Sequence, residues 1–155
     1  TLYNPERQLD VRIIEELSKC EWIEQGKNLV ITGKTSSGKS YLANALCICA
    51  LRQFKTVRYM KASQLINELS KAEKLDTYQE ELNLFAGYDL LVVDDFGLMN
   101  MEVNKCRNLF EVFDSRDPHK SILVISQFPV PAWYDMFQDH TYAEACLARI
   151  CRTFR

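Results

Sequence analysis

Residues 29–40 read LVITGKTSSGKS, and no other stretch constrains the chain so tightly. A short apolar run ends in Gly33, and Gly33 to Ser40 follows the pattern G-x-x-x-x-G-K-S. The pattern sits between a predicted strand at 28–32 and a predicted helix at 39–52, which is rich in Ala, Leu and Cys and free of Gly and Pro. Such a strand–loop–helix turns successive backbone N–H groups inward to form a concave anion site. The helix start adds unpaired N–H groups and the positive end of its dipole. This is the phosphate-holding loop of nucleotide-binding proteins. Gly33, Lys34, Thr35, Ser36, Ser37, Gly38, Lys39, Ser40 and Tyr41 are therefore candidate ATP contacts. Lys39 would reach the β- and γ-phosphates, and Ser40 would offer its hydroxyl to Mg2+. A serine-rich turn capping a helix is the blander alternative, and the flanking elements argue against it. Ser36 stands where many such loops have glycine; left-handed geometry there would cost ~1 kcal/mol.

One Mg2+ also needs a carboxylate, and LLVVDDFG (90–97) supplies a pair. The apolar run predicts a strand in the sheet centre, with Asp94 and Asp95 emerging at its C-terminal end, where ligands bind in open α/β sheets. Asp94 is the candidate for the metal's hydration shell, and Asp95 for orienting or deprotonating the attacking water. Asp95 is one methylene shorter than the glutamate more usual among ATPases, which predicts slow or partner-dependent hydrolysis. A further apolar strand, SILVIS (121–126), runs into Ser126-Gln127, candidates for sensing the γ-phosphate or placing water. A strand simply reaching solvent at a polar residue explains them equally well.

The remaining pattern alternates strands and helices. Apolar spacing predicts helices over 9–19, 63–73 (with Ser63 as N-cap), 77–86 and 102–115, and strands over 57–60 and 88–93. Pro129 and Pro131 interrupt the chain before two short helices near 132–137 and 142–151. Apolar strands alternating with helices imply a parallel sheet covered on both faces. Residues 152–155 would begin a fifth strand. At 155 residues the chain fits one domain, which begins without Met and ends in Thr-Phe-Arg, as an excised domain would.

Composition narrows the partners. With 19 basic and 21 acidic residues, the net charge of −2 gives no global pull toward nucleic acid or membrane. The six cysteines form no CxxC pair and the two histidines lie far from any cysteine pair, so the cysteines read as reduced, small apolar residues of a cytoplasmic protein without structural zinc. No run of 18 apolar residues and no signal peptide is present. Arg52, Lys55, Arg58 and Lys61 form a basic run, followed by Lys71 and Lys74. These suit either a DNA backbone or, more simply, a solvated face. Arg149, Arg152 and Arg155 cluster at the end, where a guanidinium could stabilise phosphoryl charge on a neighbouring subunit's nucleotide, or merely cap a helix.

Taken together, ERQLD (6–10), CEWIEQGKNLVITG (20–33), YLANAL (41–46), VRYMKASQL (57–65), DLLVVDDFGL (89–98) and ISQFPVPAWYDMF (125–137) resemble the AAA+ ATPase domain of the IstB/DnaC family nearly end to end. The WIEQGKNL and SQFPVPAW segments are the more particular ones. SQ followed by Pro-Val and Trp133, then Asp139 and Thr141, resembles the transposition helpers more than the helicase loaders, which more often have Asn where Gln127 stands. The resemblance implies a P-loop NTPase sandwich of AAA+ type, three layers (α/β/α) with a central parallel sheet ordered 5-1-4-3-2. It implies a sensor at Ser126-Gln127, and it makes Arg149 the arginine finger acting between subunits. It places DNA-facing helices around 62–84, with Lys71 and Lys74 as candidates, and weak adenine contacts at Leu2 and Tyr3. It further implies an ATP-dependent homo-oligomer on DNA, duplex by expectation, with a transposase or a replicative helicase as partner. The family's N-terminal extension and the end of the domain are expected to lie outside these residues. Three functions stay open: a DNA-stimulated ATPase helping transposition, a helicase loader, and a nucleotide-gated adaptor with little hydrolysis.

Overall fold

A computed structural model describes residues 11–34 and 38–151. In chain order the elements are α1 (Val11–Ser18), α2 (Glu21–Glu24), β1 (Leu29–Thr32), α3 (Lys39–Arg52), β2 (Val57–Lys61), α4 (Ala62–Lys74), α5 (Tyr78–Ala86), β3 (Leu90–Asp94), α6 (Val103–Ser115), β4 (Ser121–Ser126) and α7 (His140–Cys151). Two 3-10 turns, Val130–Ala132 and Tyr134–Met136, precede α7.

The four strands are all parallel, in the order β1-β4-β3-β2. This is the expected 5-1-4-3-2 without its first member; the segment expected to add the fifth strand, 152–155, lies outside the described residues. Side chains alternate between the two faces, as the pleat requires. Leu29, Ile31, Leu90, Val92, Leu123 and Ile125 pack under α1, α2 and α3. Val30, Leu91, Val93, Ile122 and Val124 face the other way, against α4 to α7 and Trp133. The result is the expected three-layer α/β/α sandwich. Every residue of β3 and β4 is buried, which explains their unbroken apolar sequences. β2 lies at the edge and carries Arg58, Tyr59 and Lys61 among its five residues.

Several local expectations shift. Ser63 is not the N-cap of α4. Pairing with β3 continues through Lys61↔Asp94, and the helix starts at Ala62 directly from the strand. β3 starts at Leu90 rather than Tyr88; the Asp89 N–H donates to the Thr56 hydroxyl at 2.9 Å rather than to a strand carbonyl. Residues near 132–137 form 3-10 turns, Val130–Ala132 and Tyr134–Met136, rather than a short α-helix. α7 begins two residues early because Asp139 Oδ1 accepts from the N–H groups of Thr141 (2.9 Å) and Tyr142 (3.2 Å). A short α2 follows α1 after Cys20 turns left-handed (φ 61°), which buries Trp22 and Ile23.

Candidate functional site

Parallel strands put all their C-terminal ends on one edge, and the candidate residues gather there. Gly33 leaves β1 with its N–H bonded to Ser126 O at 3.2 Å, tying the loop entry to the end of β4. Gly38 precedes α3 in a left-handed conformation (φ 84°) that glycine adopts without penalty. Lys39 follows as the first residue of α3, and its side chain turns inward until the residue is only 7% exposed. Its Nζ donates to Gly33 O and Lys34 O, both at 2.5 Å. Burial depresses the Lys39 pKa, while Asp94 and Asp95 push it back up; the cation thus lies within electrostatic reach of both carboxylates. Ser40 and Tyr41 are exposed in the first turn of α3. Thr35, Ser36 and Ser37, the apex of the loop, lie outside the described residues.

Asp94 ends β3 and is 7% exposed. Its Oδ1 accepts from the Asp95 N–H at 2.7 Å, and its Oδ2 accepts from the hydroxyl of Tyr59 on β2. Ser40 lies near enough to the same hydroxyl to pull its pKa down, against the larger upward push of burial and Asp94. Burial first, and the bond to Asp94 second, push the Tyr59 pKa well above its ordinary value, keeping the hydroxyl a donor. The donor set is hard oxygen only. Mg2+ is usually held by one or two protein oxygens together with substrate phosphates, so Ser40 and Asp94 fit it.

Asp95 is half-buried and left-handed (φ 54°), with its Oδ2 3.8 Å from Lys61 Nζ. The turn that carries it is anchored on β4. The Phe96 N–H donates to Ile125 O at 2.9 Å, and Ser126 Oγ donates to Phe96 O at 2.6 Å while accepting from the Phe128 N–H at 3.0 Å. Ser126 is 1% exposed. The expectation of a phosphate sensor at Ser126 is therefore corrected: its hydroxyl is committed to the backbone on both sides. Gln127, half-buried just beyond the strand, is the member of that pair at the sheet edge.

Arg149 lies elsewhere. Asn28, just before β1, donates to Arg149 O at 2.9 Å, and the Arg149 guanidinium pairs with Asp114 at the end of α6. That is the N-terminal edge of the sheet, opposite Lys39, so Arg149 cannot serve the nucleotide of its own chain. Most of the predicted basic run is paired: Lys55 with Glu24, Arg58 with Glu68 and Lys61 with Asp95. Lys71 and Lys74 project from the last turn of α4 as exposed side chains.

Tyr59 and Lys61 were not foreseen. Sequence placed Lys61 in a basic run and gave Tyr59 no role; only the β2–β3 register, Lys61↔Asp94, brings both beside the acidic pair.

A glycine-bounded loop after β1, an acidic strand end and this strand order together define a P-loop NTPase fold of AAA+ type. The chain belongs to the family described as IstB-like ATP binding protein, whose model matches residues 2–154. It is 35% identical over 93% of its length to an insertion-sequence ATP-binding protein, y4uH, of Sinorhizobium fredii, covering 58% of that protein. It is 37% identical over 79% of its length to the insertion sequence IS1162 ATP-binding protein of Pseudomonas fluorescens, covering 53% of that one. The chain thus spans somewhat more than half the length of these relatives. Among solved structures it is similar to the DnaC helicase loader, with a TM-score of 0.78 and 18% identity over 94% of this chain and 85% of that one. It is also similar to AMPPCP-bound DnaA from Aquifex aeolicus, with a TM-score of 0.73 and 23% identity over 92% of this chain and 47% of that one. At these identities the structural likeness speaks for the fold alone. Among the described residues no helix is long and apolar enough to cross a membrane.

Proposed function

We propose that the chain is the ATPase module of a transposition helper, binding ATP with Mg2+ and hydrolysing it in association with duplex DNA. The observation that carries this reading is the meeting of Lys39, Asp94 and Asp95 at one strand edge. The names of the sequence relatives, all tied to insertion sequences, favour a transposase as partner over a replicative helicase.

In this reading the loop N–H groups and Lys39 cradle the phosphates, and Lys39 exchanges the carbonyls of Gly33 and Lys34 for phosphate oxygens. Ser40 and Asp94 hold the metal, which when bound neutralises charge developing on the transferring phosphoryl group. Asp95 orients the water and takes its proton, and Gln127 helps to place that water. Arg149 completes the site of an adjacent copy in an ATP-dependent homo-oligomer. Lys71 and Lys74 are the DNA-facing cations.

The test is nucleotide binding and steady-state hydrolysis with and without duplex DNA, on a chain restored to the length of its relatives. Lys39→Ala should abolish tight binding. Asp95→Ala should keep binding and lose turnover by about 100-fold or more, the usual contribution of a positioned base. Hydrolysis unaffected by Asp95→Ala would overturn the assignment. Tight binding with no turnover in the native chain would favour a nucleotide-gated adaptor, a reading helped by the Lys61–Asp95 pair.

A further inference from the structure

The Tyr59 hydroxyl donates to Asp94 Oδ2 at the edge of the site, with Ser40 nearby, and it comes from neither of the motifs that define the site. Tyr59 sits on the edge strand, in register with Val92, two residues short of Asp94 on β3. The residue is 36% exposed, so its ring is not needed to fill the core. Its hydroxyl nevertheless reaches past Val93 to the carboxylate.

A carboxylate offers about four acceptor positions. In Asp94 one is taken by the Asp95 N–H and one by the Tyr59 hydroxyl. Both donors fix the carboxylate plane, and the remaining lone pairs are left for a cation's water shell. Removing partners of this kind, one step outside the ligands, typically costs about 10- to 100-fold in metal affinity.

We propose that Tyr59 is a positioning residue of the cation site: its hydroxyl fixes the Asp94 carboxylate, beside Ser40, in the orientation that receives Mg2+ with nucleotide. The proposal rests on the reading of Ser40 and Asp94 as the metal-binding pair. It goes beyond that reading by assigning the edge strand β2 a part in metal recognition, independent of the phosphate loop.

Tyr59→Phe removes the hydroxyl and leaves the ring. The probe is a fluorescent ADP, with binding followed as Mg2+ is titrated, and followed separately in EDTA. The Mg2+ concentration for half-maximal enhancement of binding is expected to rise about tenfold in Tyr59→Phe. Affinity in EDTA and the thermal midpoint should stay at native values. In an Asp94→Asn background the same change should add nothing further, because the two groups act as one unit. An unchanged Mg2+ requirement would overturn the proposal. So would a lowered requirement, which would make the phenol a competitor of the cation. A parallel fall in EDTA affinity and thermal midpoint would reduce Tyr59 to a structural residue. If the native chain itself binds the nucleotide with no response to Mg2+, the reading of Ser40 and Asp94 fails first, and the Tyr59 role falls with it.

Discussion

Gly97 lies two residues beyond Asp95, and its environment shows how tightly the acidic turn is built. Its φ is +104°, and a Cβ added there would lie 2.6 Å from Phe128 Cδ2 and 3.1 Å from Met136 Sδ. Gly97→Ala should therefore cost about 2 kcal/mol of stability by combining backbone strain with a clash, and should displace Asp95. Chemical denaturation reads the first effect; turnover falling while nucleotide binding persists reads the second. Arg116 is another residue whose weight is invisible in sequence. It is 6% exposed, and its guanidinium donates to the carbonyls of Phe85, Tyr88 (2.8 Å) and Ser121 (2.9 Å). Burial pushes its pKa down to about 10. Arg116→Met would leave three carbonyls without this donor, and denaturant unfolding should show a loss of about 3 kcal/mol. At this scale the sequence marks candidates where chemistry is written in a contiguous motif, as with Lys39 and Asp94, which the fold then sets at the same end of the sheet. It was unreadable where a partner comes from another element. Ser126 looked like a ligand-facing polar residue and is a buried backbone anchor; Tyr59 looked like an ordinary strand residue and touches the site.

Strand ends, more than strand interiors, carry the element-scale surprises. Asp89 precedes β3 and binds both neighbouring strands. Its Oδ2 accepts from the Thr56 N–H (2.8 Å) and the Thr56 hydroxyl (3.2 Å), and its Oδ1 pairs with Lys120 (3.2 Å). The Thr56 N–H, opposed by partial burial and helped by Lys120, holds the Asp89 pKa below its ordinary value. A depressed carboxylate pKa gives stability that is fully present above the unfolded value, near 3.8, and is lost as pH falls through the folded one. Asp89→Asn should accordingly flatten the acid limb of the stability curve below about pH 4. Near neutral pH it should cost about 1 kcal/mol, a figure reduced for solvent exposure. Thermal melts from pH 3 to 7 check both. The helices and central strands were legible because their periodicity directly reflects burial: α3 begins and ends as expected, and β4 matches residue for residue. The strand order was not written in that periodicity, which cannot distinguish neighbours among equally apolar strands; it came from the family resemblance.

Across the whole molecule, Lys39 and Arg149 occupy opposite edges of one sheet, which makes a mixing experiment decisive for the proposed assembly. Under the proposed function Lys39→Ala should lose nucleotide binding yet still offer an arginine, and Arg149→Ala should bind nucleotide yet offer none. Mixed in equal amounts with ATP and duplex DNA, the two inactive variants should recover about a quarter of native turnover if copies join at random and head to tail, since one contact in four then pairs an intact loop with an intact arginine. No recovery would confine Arg149 to its pair with Asp114. The same long view applies to the chain's two tryptophans. Trp22 is buried with α1 and α2 on one face of the sheet, its indole N–H on Leu17 O at 3.0 Å. Trp133 is fully buried on the other face, its ring centroid 4.7 Å from that of Phe96 and its indole N–H on Phe128 O at 2.9 Å. Because Ser126 bolts Phe96 to Phe128, any displacement of the Asp95 turn must pass through the pocket that holds Trp133. The protein thus carries an optical gauge of its acidic turn: with Trp22 replaced by Phe, the emission of the remaining indole would follow each displacement of that turn.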